Sequence, residues 1–106
     1  MKGDHIGEFE ELVLLAALGL DGDAYGVSVK RLLDRETRRD VSLGAVYAAL
    51  DRLEAKGLLR SRSTPGNAIR GGRRRRTYGV TPGGAKALRE MQRVRERLWR
   101  AARARP

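Results

Sequence analysis

A chain of 106 residues, 41% apolar and 34% charged, has room for one domain around one modest core. It has no cysteine, which excludes a Cys/His zinc site, a disulfide framework and a thiol nucleophile. The net charge of +10 is unevenly spread: residues 1–51 hold six basic and ten acidic side chains, residues 52–106 seventeen basic and three acidic.

The positive field therefore belongs to the second half and implies a polyanionic partner. Nineteen of the 23 basic residues are arginine, whose forked guanidinium suits bidentate phosphate contacts. The single histidine, His5, lies in a polar N-terminal stretch and is read as a solvated tail residue, so neither metal nor cofactor is expected. The longest apolar run, Leu12 to Leu18, is seven residues and follows Glu8, Glu10 and Glu11, whereas a bilayer span needs about 20 apolar residues and an export signal a basic flank. No membrane association and a cytoplasmic location are expected.

Phe9, Leu12, Val13, Ala16 and Leu20 recur at helical spacing, and Leu14, Leu15 and Leu18 widen the stripe around most of the circumference. This first helix should be covered on more than one side, and its three glutamates suit the positive end of its dipole. Gly19-Leu20-Asp21-Gly22-Asp23 is a turn by composition. Asp23 is expected to cap a second helix from about Ala24 into the 30s, with Tyr25, Val29, Leu32, Leu33 and Glu36 on one face. After Thr37-Arg38-Arg39-Asp40, Ser42 caps a third helix, Leu43 to Lys56, with Val46, Ala49, Leu50 and Leu53 inward. Gly57 then Leu58 form a Schellman ending in which Leu58 meets Leu53.

Leu58 to Ser63 and Arg75 to Val80 alternate apolar or hydroxyl residues with arginine and read as two short strands. Between them, Pro65-Gly66-Asn67 and Gly71-Gly72 are turn signals, giving a basic hairpin. Thr81-Pro82 is the N-cap and N1 signature of a last helix that runs nearly to Arg105, weakened in its first turn by Gly83 and Gly84. Its seam of Ala85, Leu88, Met91, Val94, Leu98 and Trp99 has the spacing of a helix pair.

Three helices, a basic hairpin and a long helix make a mainly α chain in the order of a winged helix-turn-helix domain. In this reading residues 1–80 bind double-stranded DNA and residues 81–106 form a C-terminal dimerisation helix. Gly44, Ala45 and Ala48 let the third helix approach base edges, Tyr47 and Arg52 reach backbone oxygens, Ser42 at the helix start also contacts the DNA, and Arg70, Arg73, Arg74, Arg75 and Arg76 lie along phosphates. The alternative reading of Gly44 and the alanines is close packing on another helix, as small residues serve such contact generally. Tyr25 and Tyr78 are read as core residues. No carboxylate pair, Ser/His/Asp set or phosphate loop can be assembled, so an enzyme is not expected. The other function weighed is a basic RNA- or ribosome-associated protein, which the scarcity of strand aromatics disfavours.

The stretch Ser42-Leu43-Gly44-Ala45-Val46-Tyr47-Ala48-Ala49-Leu50-Asp51-Arg52-Leu53-Glu54-Ala55-Lys56-Gly57-Leu58-Leu59 resembles the signature of PadR-like transcriptional regulators. Arg74 to Gly84 resembles their second wing strand and the start of their last helix, and Ala24-Tyr25-Gly26-Val27 the opening of their second helix. The resemblance implies a homodimeric repressor whose last helix contacts the partner subunit, partly against the partner's first helix; two-fold symmetry then calls for a palindromic operator, and the seam residues Leu88, Met91, Val94, Leu98 and Trp99, which one small core cannot cover, are expected to make the contact. It also implies that Trp99 could line a cavity for a small aromatic effector. Tyr47 and Arg52 match the family pattern; Ala45 and Ala48 depart from its usual Ser or Thr and Pro, so no family contact is carried to them.

Overall fold

The computed structural model, which describes residues 6–64 and 75–105, places the first helix, α1 (Glu8–Gly19), against four other elements. Those neighbours are α2 (Gly26–Thr37), α3 (Leu43–Ala55), the second strand of the hairpin β1 (Leu59–Thr64) and β2 (Arg75–Val80), and the long α4 (Pro82–Arg103). Val13, Leu14, Ala16 and Ala17 are buried beneath them, which accounts for the breadth of the apolar stripe. The coverage is incomplete: Leu15 and Leu18 remain 51% and 44% exposed. No helix among the described residues is long and apolar enough to cross a membrane.

The second helix begins at Gly26, later than the spacing predicts, and Asp23 does not cap it with its carboxylate. The reason is a long-range bond: the Tyr78 backbone N–H in β2 donates to the Ala24 carbonyl at 2.8 Å, holding Ala24 beside the strand, with Tyr25 extended after it. Ser28 takes over the helix start. Its hydroxyl accepts the Tyr25 N–H at 2.9 Å and donates to the Asp23 carbonyl at 2.7 Å. Val29 and Leu33 are buried as expected, but Glu36 is exposed beside Arg35 rather than inward. The turn into α3 is organised by Asp34, whose carboxylate accepts from Lys30 at 2.7 Å and from the Val41 N–H at 2.8 Å.

In α3 the four expected inward residues, Val46, Ala49, Leu50 and Leu53, are all fully buried, and the Ser42 hydroxyl accepts the Ala45 N–H at 3.1 Å. The Schellman ending forms: Gly57 has φ of +77°, the Leu58 N–H donates to the Leu53 carbonyl at 3.0 Å and the Gly57 N–H to the Glu54 carbonyl at 2.9 Å. Leu58 is committed to this turn, so β1 starts one residue later than the alternation suggests. The hairpin is antiparallel, with Leu59 opposite Val80 and Thr64 opposite Arg75.

Thr81 caps α4 and also ties it to the end of α3. Its hydroxyl accepts the Gly84 N–H at 3.0 Å and donates to the Gly57 carbonyl at 2.8 Å, while its own N–H donates to the Leu58 carbonyl at 3.1 Å. Gly84 faces that same carbonyl, and a methyl group there would overlap the Leu58 oxygen. Replacing Gly84 by Ala is expected to destabilise the protein by about 1 to 3 kcal/mol, because backbone must move to admit the methyl. Gly83 meets only ordinary contacts, so Gly83→Ala should stabilise by about 0.5 to 1 kcal/mol through helix propensity. Urea denaturation of the two variants checks both signs.

Candidate nucleic-acid interface

The outward face of α3 carries Gly44, Ala45, Tyr47, Ala48 and Arg52, all exposed, with the exposed cap Ser42 at its start. A Cβ at Gly44 would meet only the Ser42 hydroxyl, at 3.5 Å. The small residues of this face therefore do not serve close packing of another helix within the chain. They leave a shallow surface on which a partner's atoms can approach the α3 backbone. Tyr47 borders it, 45% exposed, with its ring seated on Gly26 so closely that a methyl at Gly26 would overlap the ring.

Arg52 is partly engaged. Its Nε donates to Glu10 Oε2 at 2.6 Å, and Lys56 Nζ donates to Glu10 Oε1 at 2.8 Å, which pins α3 to α1. Glu10 is only 8% exposed, whereas the Arg52 side chain keeps 54% of its surface. Burial opposes the charge on Glu10, but the hydrogen bonds from Lys56 and Arg52 and their positive charges outweigh it and hold its carboxyl below the ordinary value. The sequence placed Glu10 only in the helix dipole; its role as a clamp depends on residues 42 and 46 positions away in the chain.

On the hairpin the outward strand face holds Arg60, Arg62 and Arg75, since β1 and β2 pair Arg60 with Gly79 and Arg62 with Thr77. Arg60 and Arg62 were not among the sequence-derived contact residues, although the alternation at positions 60 and 62 carried the signal. Arg75 lies 4.2 Å above the Tyr25 ring, so Tyr25 is a half-buried platform for a wing arginine rather than a core residue. Arg76 is on the other face, where its guanidinium reaches Glu54 Oε1 at 3.0 Å. Glu54 also accepts the Ser61 hydroxyl at 2.6 Å; that bond, helped by the Ser61 N–H and Arg76 against the effect of burial, keeps its carboxyl below the ordinary value. Arg70, Arg73 and Arg74 lie outside the described residues. Tyr78, the one aromatic of the described strands, is 4% exposed and cannot stack an unpaired base.

Along α4 the seam divides. Leu88 is buried within its own subunit and Met91 is half-buried, so neither has much surface left for a partner, while Val94, Leu98 and Trp99 are 44%, 64% and 63% exposed. Arg95 pairs with Glu11 and straps α4 to α1. A groove of about 710 Å³ runs beside it, lined by Ile6, Leu58, Met91, Val94 and Leu98 among others.

Four helices with a basic antiparallel hairpin after the third define a winged helix-turn-helix protein. Residues 14–90 match the transcriptional regulator PadR-like family. The transcriptional regulator Rv3488 of Mycobacterium tuberculosis is 41% identical over 80 residues, which cover 76% of this chain and 70% of the relative. A PadR-like transcription factor from Bacteroides fragilis has the same fold, with a TM-score of 0.74 and 25% identity over 90% of this chain and 86% of its own. The fold also resembles that of Bacillus subtilis PadR solved in complex with operator DNA, with a TM-score of 0.65 and 17% identity over 80% of this chain and 46% of that one. The chain thus belongs to the PadR-like family of transcriptional regulators, which are DNA-binding proteins and not enzymes.

The depressed Glu10 carboxyl sets a direction for acid stability. A group more acidic when folded adds stability above its unfolded pKa, near 4.5, and loses it as the pH falls through the lower folded value. Glu10→Gln should cost about 1 to 2 kcal/mol at pH 7, and the gap from the parent should shrink steadily below pH 4.5. Chemical denaturation from pH 7 to pH 3 measures this.

Proposed function

We propose that this regulator is a cytoplasmic repressor that binds a palindromic operator in double-stranded DNA as a homodimer. The observation that carries this reading is the exposed shelf of Gly44, Ala45 and Ala48 on α3, next to a hairpin whose outward face bears Arg60, Arg62 and Arg75. α3 enters the major groove with its small residues against base edges, Tyr47 and Ser42 meet the flanking phosphates, and the wing follows the backbone of the adjacent groove. That the structurally similar Bacillus subtilis PadR was solved in complex with operator DNA supports duplex DNA as the partner. Arg52 holds α3 in place through Glu10 and turns its exposed edge to the backbone.

Residues 81–106 join the subunits. Val94, Leu98 and Trp99 on α4 and Leu15 and Leu18 on α1 are large apolar side chains left uncovered, and burying each would contribute about 1.5 to 3 kcal/mol. Trp99 acts as the aromatic anchor of that contact. A two-fold dimer presents its two α3 helices to half-sites centred about 34 to 36 Å apart.

Three measurements test this reading. Titration of duplex DNA against salt should give a slope of log K against log salt steeper than about −6 for the dimer, at about −0.9 per neutralised phosphate. Replacing Arg60, Arg62 and Arg75 together by Ala should weaken operator and random duplex alike, and unchanged affinity would remove the wing from the interface. Leu98→Asp should give monomers in analytical ultracentrifugation and lose most of the affinity for a palindromic site; a full-strength dimer would place the subunit contact elsewhere.

A further inference from the structure

Helix α4 has a second surface that the reading above does not use. Lys86, Arg89, Arg93, Arg97 and Arg100 are all exposed, and at 3.6 residues per turn they fall within roughly 80° of one another around the helix. They stand opposite Leu88 and the Glu11-bound Arg95, which face the body of the domain, so the stripe points away from it. None of the five side chains makes a hydrogen bond or ion pair among the described residues. Glu90 and Glu96 border the stripe without pairing with it.

Five cations spaced three and four residues apart on one face repel one another and weaken the helix. Lys86 follows directly on a first turn that holds no acidic residue to offset its charge. A polyanion reverses both effects. From Lys86 to Arg100 the stripe is about 21 Å long at 1.5 Å per residue, a straight and rigid row. Duplex DNA carries a phosphate about every 3.4 Å per strand, so such a row faces about six of them. A membrane fits less well, because an interfacial helix must lay a continuous apolar face in the lipid, and here Leu88 on that face is buried in the domain while Arg95, on the same side, is paired with Glu11. Unpaired RNA fits less well too, since no aromatic side chain stands on the stripe.

We propose that the α4 stripe binds the phosphates of a second DNA duplex, so that one dimer holds two DNA segments together. The location of the surface follows from α4 alone; the choice of duplex DNA as partner rests on the chain's binding DNA through α3.

The test is capture. The full-length protein is loaded on a bead-bound 30-base-pair duplex, and a fluorescent duplex of unrelated sequence is then added. The parent should retain the second duplex, with an affinity that falls roughly 500-fold between 50 and 200 mM salt if all five cations meet phosphates. The variant with Lys86, Arg89, Arg93, Arg97 and Arg100 replaced by Gln should bind the first duplex within threefold of the parent, melt no lower, and lose second-duplex capture more than tenfold. Should that variant fold poorly, Arg93→Gln with Arg97→Gln should still cut capture several-fold. Undiminished capture by the variant would mean that the two α3 faces do the bridging and would overturn the proposal. Equal loss of first-duplex binding would overturn it too, by assigning the stripe to the primary interface. Tighter retention of single-stranded RNA or phosphatidylglycerol vesicles through the same residues would overturn the choice of DNA. A parent that binds one duplex and never captures another refutes this inference alone; a parent that binds no duplex refutes the operator reading as well.

Discussion

The architecture depends on the junction at Leu58. The Leu58 N–H closes the Schellman turn on Leu53, and its carbonyl accepts the Thr81 N–H while lying against Gly84. Three elements leave from this point: α3 ends, β1 begins and α4 starts. The direction in which the wing departs from α3, and the angle at which α4 crosses behind it, are consequences of one residue's two backbone bonds. That is why Gly57 and Gly84 stand where larger residues would favour regular structure. One supplies the positive φ that reverses the chain, and the other removes the side chain that would push α4 off the turn.

Electrostatics divides the arginines into two groups. Arg52, Arg76 and Arg95 neutralise Glu10, Glu54 and Glu11, and these carboxylates come from α1 and α3, so each pair ties one element to another. The Glu10–Arg52 and Glu11–Arg95 pairs stitch the acid-rich first half of the chain to the basic second half. Arg60, Arg62 and the α4 stripe lie outside this network and face outward. The large net charge is therefore a surplus placed on surfaces, where it raises the local concentration of DNA and speeds encounter more than it holds the fold.

The apolar residues show a similar division. α1 buries one side of its wide stripe inside the subunit and leaves Leu15 and Leu18 outside it, and α4 does the same with Leu88 inside and Leu98 outside. Both helices are thus half core and half surface. In a domain of this size the core alone buries a modest share of the apolar surface.

Local signals made most of the architecture legible. The inward residues of α3, the Schellman ending, the strand alternation and the Thr81-Pro82 helix start each depend on side chains within about four positions, so periodicity and capping preferences specify them without knowledge of the rest. The family signature is local in the same way and led to the right class of protein. What the tertiary structure decided was every feature whose cause lies far along the chain. The late start of α2 follows from a bond to Tyr78 in β2, Tyr25 became a seat for Arg75, and Glu10 became a clamp for Arg52 and Lys56. The division of the α4 seam into the buried Leu88 and the exposed Leu98 likewise depends on how far α1 reaches along it. Hydrophobic spacing shows which face of a helix is apolar, but only packing shows which part of that face is already covered.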